Sequence, residues 1–231
     1  MKTLIIVPAY NEEASLPGVI EDLRKHMPSA DILVVNDGSH DATSRIARDS
    51  GVTVLDLPYN LGIGGAVQTG YVYAERRGYD IAIQFDGDGQ HLGSELKKLL
   101  GPLHDDSADM VTGSRFLVSS GYKTPAFRKI GIWIFSFVLS RVTGMTITDS
   151  TSGFRAANKR VIEFFARVYP DDYPEVESLV LLHKTRMRMM EVPVTMRERT
   201  GGKSSITPLR SMYYMTKVLM AVFIDLIKKV R

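Results

Sequence analysis

Two carboxylates stand two residues apart in Asp86-Gly87-Asp88-Gly89-Gln90-His91. They follow Ile81-Ala82-Ile83-Gln84-Phe85, an apolar run that reads as a buried strand. At a strand's end, with glycines beside them, both carboxylates can point at one small volume. A divalent cation with oxygen ligands fits such a volume, and it can hold the two phosphates of a nucleotide. The glycines let the backbone bend and a bulky ligand come close. Plainer readings compete. Asp-Gly is a common hairpin turn. The order Asp86, Asp88, Gln90 also imitates the start of a calcium loop, but the sixth position is His91 rather than Gly and the twelfth is Lys97 rather than Glu.

The elements that must position this cluster alternate through the first half of the chain. Thr3–Val7, Asp31–Val35, Val52–Leu55, Ile81–Phe85 and Met110–Gly113 read as strands. Helices are expected from Ser15 to Met27, from Asp41 as a cap to about Ser50, over Ala66–Arg77 and over Ser94–Leu103. Such alternation implies βαβ units and a mostly parallel sheet with ligands at the carboxyl ends of its strands. Pro8-Ala9-Tyr10-Asn11-Glu12, Asn36-Asp37-Gly38-Ser39 and the Asp86 cluster all fall at such ends. Leu61-Gly62-Ile63-Gly64-Gly65 is not a dinucleotide fingerprint, because the third glycine of GxGxxG would fall at Val67. Those glycines read as shaping a loop and allowing close helix packing.

The second half is less regular. Ile130–Leu139 is strongly apolar and holds the only tryptophan, Trp133, but is too short for the roughly 20 residues of a bilayer span. Gly153–Ala157 reads as a strand, Asn158–Val168 and Glu175–Thr185 as helices, and Met189–Met196 as a strand. Arg197 to Ser205 reads as a flexible basic loop, and Leu209–Val230 as an amphipathic helix that packs on its own domain or meets a membrane surface.

Composition is that of an ordinary globular chain, with 44% hydrophobic and 24% charged residues. The absence of cysteine excludes disulfides and thiolate metal sites, and the five scattered histidines argue against a histidine-rich zinc site. No cleavable signal pattern opens the sequence. Charge is uneven: from Lys184 to Arg231 eleven Lys and Arg face three Asp and Glu. Such a basic quarter suits phosphates, an anionic membrane face or nucleic acid. No nucleic-acid-binding motif is visible.

Taken in order, Ile6-Val7-Pro8-Ala9-Tyr10-Asn11-Glu12-Glu13, Val35-Asn36-Asp37-Gly38-Ser39, Asn60-Leu61-Gly62 through Gly70, and Asp86 through His91 form a series. Gly113-Ser114-Arg115, Thr151-Ser152-Gly153-Phe154-Arg155, Glu191-Val192-Pro193-Val194 and Gly202-Lys203-Ser204-Ser205 complete it. In these motifs the chain resembles the family-2 inverting glycosyltransferases with the GT-A fold. More narrowly, it resembles the dolichol- or polyprenyl-phosphate sugar synthase branch. The resemblance implies an α/β GT-A catalytic domain over residues 1–205, with a mostly parallel sheet flanked by helices. Residues 206–231 would be a C-terminal amphipathic helix for membrane-surface or oligomer contact.

The resemblance also implies roles. Pro8, Tyr10, Glu12 and Asp37 would surround the base and ribose of a UDP- or GDP-sugar. Asp86, Asp88 and Gln90 would form the Mg²⁺ or Mn²⁺ and diphosphate site, with Asp88 central to catalysis. Arg115, Arg128, Arg197, Arg199 and Lys203 would meet phosphates: Arg197 and Lys203 those of the donor, Arg115, Arg128 and Arg199 that of a lipid phosphate acceptor. The family often has Asp-Asp-Gly-Ser where this chain has Asn36-Asp37-Gly38-Ser39, which puts only the first of those contacts in question. Asp149 matches an active-site Asp of relatives and would serve as base or acceptor-orienting group, with Glu175 and Glu177 next in line.

The expected reaction is inverting sugar transfer from a nucleotide diphosphate to a polyprenyl phosphate. The alternative is the same donor chemistry with a saccharide hydroxyl acceptor in cell-wall or capsule synthesis. A lipid monophosphate is already ionised near neutrality, whereas a sugar hydroxyl needs a base. The expected location is cytoplasmic, peripheral on the inner face of a membrane, with a small membrane partner protein or a homo-oligomer completing the attachment and no nucleic acid involved.

Overall fold

The computed structural model describes residues 1–117, 126–171, 173–197, 217 and 220, and for 126–130 the backbone. Seven strands form one sheet: β1 (Thr3–Ala9), β2 (Asp31–Asn36), β3 (Thr53–Asp56), β4 (Ile81–Gln84), β5 (Met110–Ser114), β6 (Arg155–Asn158) and β7 (Met189–Pro193). Their spatial order is β3-β2-β1-β4-β6-β5-β7. β1 pairs in parallel with β2 and β4, β2 with β3, and β5 with β7. β6 runs antiparallel between β4 and β5. The expected mostly parallel GT-A-type sheet is therefore present, with one reversed strand.

Alternation along the strands builds two cores, because successive side chains point to opposite faces. Leu4, Ile6, Leu33, Val35, Ala82 and Ala157 enter one core. Ile5, Val7, Ile32, Val34, Ile83 and Ala156 enter the other. The second core is covered by α1 (Leu16–His26), α2 (Thr43–Asp49) and α4 (Leu96–His104). The first is covered by α3 (Gly62–Arg76), α5 (Ala126–Thr143), α6 (Lys159–Phe165) and α7 (Pro174–Lys184). α1 has Pro17 in its first turn and buries Leu16, Val19, Ile20 and Leu23, an i, i+3, i+4, i+7 face. Asn158 caps α6 by accepting the Val161 N–H at 3.1 Å.

The expected elements fall where the pattern put them, apart from earlier ends (β7 stops at Pro193 rather than Met196, α6 at Phe165 rather than Val168) and three further differences. The apolar run at 130–139 is part of the 18-residue α5. α3 begins at Gly62 rather than Ala66, so most of the glycine segment is helix, not loop. Its early start has a cause: the Asp37 carboxylate accepts the N–H groups of Leu61 and Gly62 at 2.7 and 2.9 Å, satisfying donors that a helix start leaves open. β6 starts at Arg155 rather than Gly153 and ends at Asn158.

The expected helix Leu209–Val230 lies outside the described residues apart from Lys217 and Met220, which are helical. Among the described residues no helix is long and apolar enough to cross a membrane.

Candidate functional site

The carboxyl ends of β1, β2 and β4 open into a cavity of about 400 Å³ lined in part by Pro8, Tyr10, Glu12, Asp37, Asp86 and Asp88. Its rim is cross-linked. Asn11, at φ 55°, accepts the His40 N–H at 2.8 Å on its side chain and donates its own N–H to Ser39 Oγ at 2.9 Å. Tyr10 stays exposed, its ring edge-on to His40 at 6.4 Å, and offers a flat surface for a base. Asp37 is buried, and its carboxylate fastens the start of α3 to the cavity wall.

Asn36, where the family often has Asp, donates from its side chain to Asp56 at 2.8 Å. A carboxylate there would meet the Asp56 carboxylate instead, so the departure is matched by its neighbour.

Asp86 and Asp88 flank a turn strapped to the first strand. Gly87 N–H donates to Pro8 O at 3.3 Å, and a Cβ at Gly87 would press on that oxygen at 3.1 Å. Ser15 Oγ lies 2.7 Å from Glu12 Oε2 and 2.8 Å from Gly87 O, two acceptors that share its one hydrogen. His91 is the hidden post of the turn. Its Nδ1 accepts the Asp86 N–H at 3.1 Å, and its ring stacks on Phe154 at 4.6 Å and 17°. Burial holds its pKa below the ordinary histidine value, against the pull of Asp86 and Asp88. Gln90 donates its N–H to Asp88 Oδ1 at 3.0 Å and accepts the Arg197 N–H on its carbonyl at 2.8 Å.

Among the described residues no group of three His, Cys, Asp or Glu side chains is set to hold a metal alone. Two carboxylates beside an open cavity suit a hard cation that takes its remaining ligands from diphosphate and water, so Mg²⁺ or Mn²⁺ fits the donor set.

A second charged group adjoins the first. Arg115 follows β5, and its Nε and Nη2 donate to Asp149 Oδ2 and Oδ1, both at 2.7 Å. The Arg115 N–H adds a third bond to Oδ2 at 3.1 Å, and Thr151 Oγ1 takes Nη2 at 3.0 Å. Asp149 is fully buried. It is held in turn by Glu191 of β7, whose carboxylate accepts the N–H of Asp149 at 3.1 Å, the N–H of Thr148 at 2.9 Å and the Thr148 hydroxyl at 2.6 Å. A ring contact ties the two groups together: His91 of the turn stacks on Phe154, which follows Asp149 and Thr151 in the same segment. The reversed β6 makes this possible: its approach segment, 149–154, arrives at the carboxyl ends of the parallel strands. A Cβ on Gly153 would sit 3.0 Å from Asp86 Oδ2.

Beneath lies Arg155, a fully buried arginine that donates to Ser152 O, Ser178 Oγ and Glu175 O at 2.9, 2.6 and 2.5 Å. Glu175, at the start of α7, is half-buried. Burial raises its pKa despite Arg155, and Asp86 adds to the rise.

The structure thus gathers Pro8, Tyr10, Glu12, Asp37, Asp86, Asp88 and Gln90 around one cavity and its turn, with Arg115 and Asp149 beside them. Arg197 is exposed and reaches the group through its backbone. Arg128 stands on α5, with its side chain outside what is described, and Arg199 and Lys203 lie outside the described residues. Sequence reasoning assigned no role to His91, Arg155 or Glu191. Glu191 did carry a signal, a lone carboxylate in the apolar run Met189-Met190-Glu191-Val192.

Residues 4–165 match the sequence profile of glycosyl transferase family 2. The chain belongs to that family. It is a glycosyltransferase, and its relatives cover most of its length. It is 34% identical over 216 residues to an undecaprenyl-phosphate mannosyltransferase of Micrococcus luteus, spanning 90% of this chain and 88% of that protein. A UDP-N-acetylglucosamine–dolichyl-phosphate N-acetylglucosaminyltransferase of Methanococcus voltae is 32% identical, over 82% of this chain and 83% of its own. The fold of this family-2 chain matches glucosyl-3-phosphoglycerate synthase of Mycobacterium tuberculosis, solved with Mn²⁺, UDP-glucose and phosphoglyceric acid. The TM-score is 0.73 at 19% identity, covering 97% of this chain and 79% of that one.

Proposed function

We propose that this family-2 glycosyltransferase moves a sugar, with inversion, from a nucleotide diphosphate to a polyprenyl phosphate at the cytoplasmic face of a membrane. The observation that carries the reading is the Arg115–Asp149 pair set against the Asp86–Asp88 turn. A fixed cation that we assign to an acceptor phosphate, next to a turn that we assign to a donor diphosphate, supports this reading. Similarity along most of the chain to enzymes named for undecaprenyl and dolichyl phosphate supports the same acceptor class.

The residues divide the work. Tyr10 and the cavity wall seat the base and ribose. Asp86 and Asp88 would hold Mg²⁺ or Mn²⁺, which when bound offsets charge on the leaving diphosphate. Arg115 would meet the acceptor phosphate with the Nη1 side of its guanidinium, because Asp149 and Thr151 hold its Nε and Nη2. A phosphate monoester attacks without losing a proton at neutral pH, so this acceptor needs no general base. That agrees with Asp149, whose carboxylate is buried and bound at both oxygens by Arg115; we assign it the orienting role. Arg197, Arg199 and Lys203 would close over the donor and acceptor phosphates.

The test is a panel of UDP-, GDP- and dTDP-sugars with Mg²⁺ or Mn²⁺, with and without undecaprenyl phosphate. A glycolipid product with release of nucleoside diphosphate is expected, and it should be lost in Asp88→Ala. Transfer to a saccharide but never to the lipid phosphate would overturn the reading, as would full activity in excess chelator.

A further inference from the structure

Among the described residues, nothing packs over one face of helix α5. Ile132, Phe135 and Leu139 are buried. Trp133 and Phe137, one turn apart on the other side, are 67% and 50% exposed. Their rings stack at 5.9 Å and 20°, and the Arg141 guanidinium lies over Phe137 at 5.4 Å. Ile134 and Val138 fill the flanks, half-buried. A stacked Trp–Phe pair in water is costly unless something covers it.

The charge around it names the cover. Between Asp109 and Asp149 the chain has no Asp or Glu, while Arg115, Lys123, Arg128, Lys129 and Arg141 fall within that stretch. Three of those cations belong to α5. Arg141 lies against the stripe and the sequence of α5 holds no acid, which makes this face complementary to an anionic lipid surface: the rings suit the headgroup boundary and the cation suits the phosphates. At 18 residues α5 is not a membrane span, so it would lie along the surface.

We infer that the Trp133–Phe137–Arg141 face of α5 docks this protein on anionic membrane lipid. This rests on the reading that the acceptor is a membrane lipid phosphate, and it adds a position to that reading. The buried side of α5 is bonded to the loop that sets Arg115. Ser136 Oγ donates to Thr148 O at 3.3 Å, and Ser140 Oγ accepts the Ile147 N–H at 2.9 Å. Thr148 adjoins Asp149, which holds Arg115. A surface contact through α5 therefore fixes the height of the Arg115 guanidinium above the lipid phosphates.

Trp133 is the only tryptophan, so its fluorescence reports this face directly in the full-length protein. Titration with phosphatidylglycerol–phosphatidylcholine vesicles should shift its emission to shorter wavelength, and brominated acyl chains should quench it. Phosphatidylcholine alone should give little change, and high salt should reverse the shift. Phe137→Ser combined with Arg141→Glu should weaken vesicle partition by about tenfold or more. Turnover of a short-chain, water-soluble polyprenyl phosphate should be unchanged in that variant.

An emission shift that grows with protein concentration without lipid would show a second copy on this face and overturn the inference. So would emission already at short wavelength and indifferent to vesicles, the sign of a face covered within the chain. Turnover of the soluble acceptor without any vesicle response leaves the proposed function standing and removes the docking. A full vesicle response with no polyprenyl phosphate glycosylated by any donor does the reverse.

Discussion

Asp149 and Arg115 stand 34 positions apart in the chain and share two hydrogen bonds of 2.7 Å. Only the fold brings them together, so the sequence could show an active-site Asp without showing whether it was a base. Removing one partner of a buried pair typically costs about 3–5 kcal/mol. Asn keeps one acceptor, so Asp149→Asn should lose roughly 2–3 kcal/mol of stability. It should also lower kcat/KM for the lipid phosphate by roughly 100-fold while leaving nucleotide affinity unchanged. A parallel loss of nucleotide binding would count against the orienting role. Glu175 poses the opposite case. Its folded-state pKa lies above the ordinary glutamate value because burial disfavours its charge. Stability from this group is complete below that ordinary value and is lost as pH rises through the folded one. Glu175→Gln should therefore raise the melting temperature at pH 8 and leave it unchanged at pH 4. An equal shift at both would show that ionisation is not involved.

Among the elements, α3 shows how a local rule can reverse. Alanine usually stabilises a helix interior relative to glycine by about 1 kcal/mol. At Gly64 the added Cβ would run into the carbonyl oxygens of Pro170 and Asp171. Backbone cannot move aside as a side chain can, so Gly64→Ala should destabilise by about 1–3 kcal/mol, read as a lower denaturant midpoint with an unchanged slope. The far edge of the sheet depends on a charge. Asp109 accepts the Arg188 N–H at 2.7 Å and the Asn158 side chain at 2.9 Å, joining β5, β6 and β7. Burial pushes its pKa up, but the bonds from Arg188 and Asn158 outweigh it and bring it to about 2, from 3.8. A lowered acid stabilises above its unfolded value and loses that contribution as pH falls through the folded one. Asp109→Asn should then cost on the order of 2 kcal/mol at pH 7, and the difference should fade between pH 4 and pH 2 in acid unfolding curves.

For the molecule as a whole, ligand binding and stability are linked. A nucleoside diphosphate with Mn²⁺ at a hundredfold excess over Kd should add about 2.7 kcal/mol. In a chain this size that is roughly 5–10 °C in Tm. Comparing UDP with GDP would identify the base, and Asp88→Ala should give a flat response to both. A rise that survives Asp88→Ala would place the diphosphate elsewhere.

The half built on β1 to β4 was legible because each of its strands alternates around a βα unit and ends in its own motif, as Val7-Pro8 and Phe85-Asp86 do. The second half was not. α5 is apolar on nearly all sides, so no period marked which face was buried. Strand direction leaves no trace in a run as short as Arg155–Asn158. The work of Glu191 depends on a loop more than 40 residues earlier.

The reversed strand also sets a timetable for the nascent chain. β4 ends at Gln84, but its neighbour on one side, β6, begins only at Arg155. At about 5–20 residues per second a ribosome needs roughly 4–14 s to deliver it. Throughout that interval β1 can already pair with β4 on one side and carry β2 and β3 on its other, while the outer side of β4 waits with unanswered backbone donors and acceptors. β5 emerges sooner but belongs one place further out. Were it to pair with β4 first, the slot for β6 would close, and Gly153 would never reach Asp86. Quality control during synthesis is therefore needed most while residues 85 to 155 are being made.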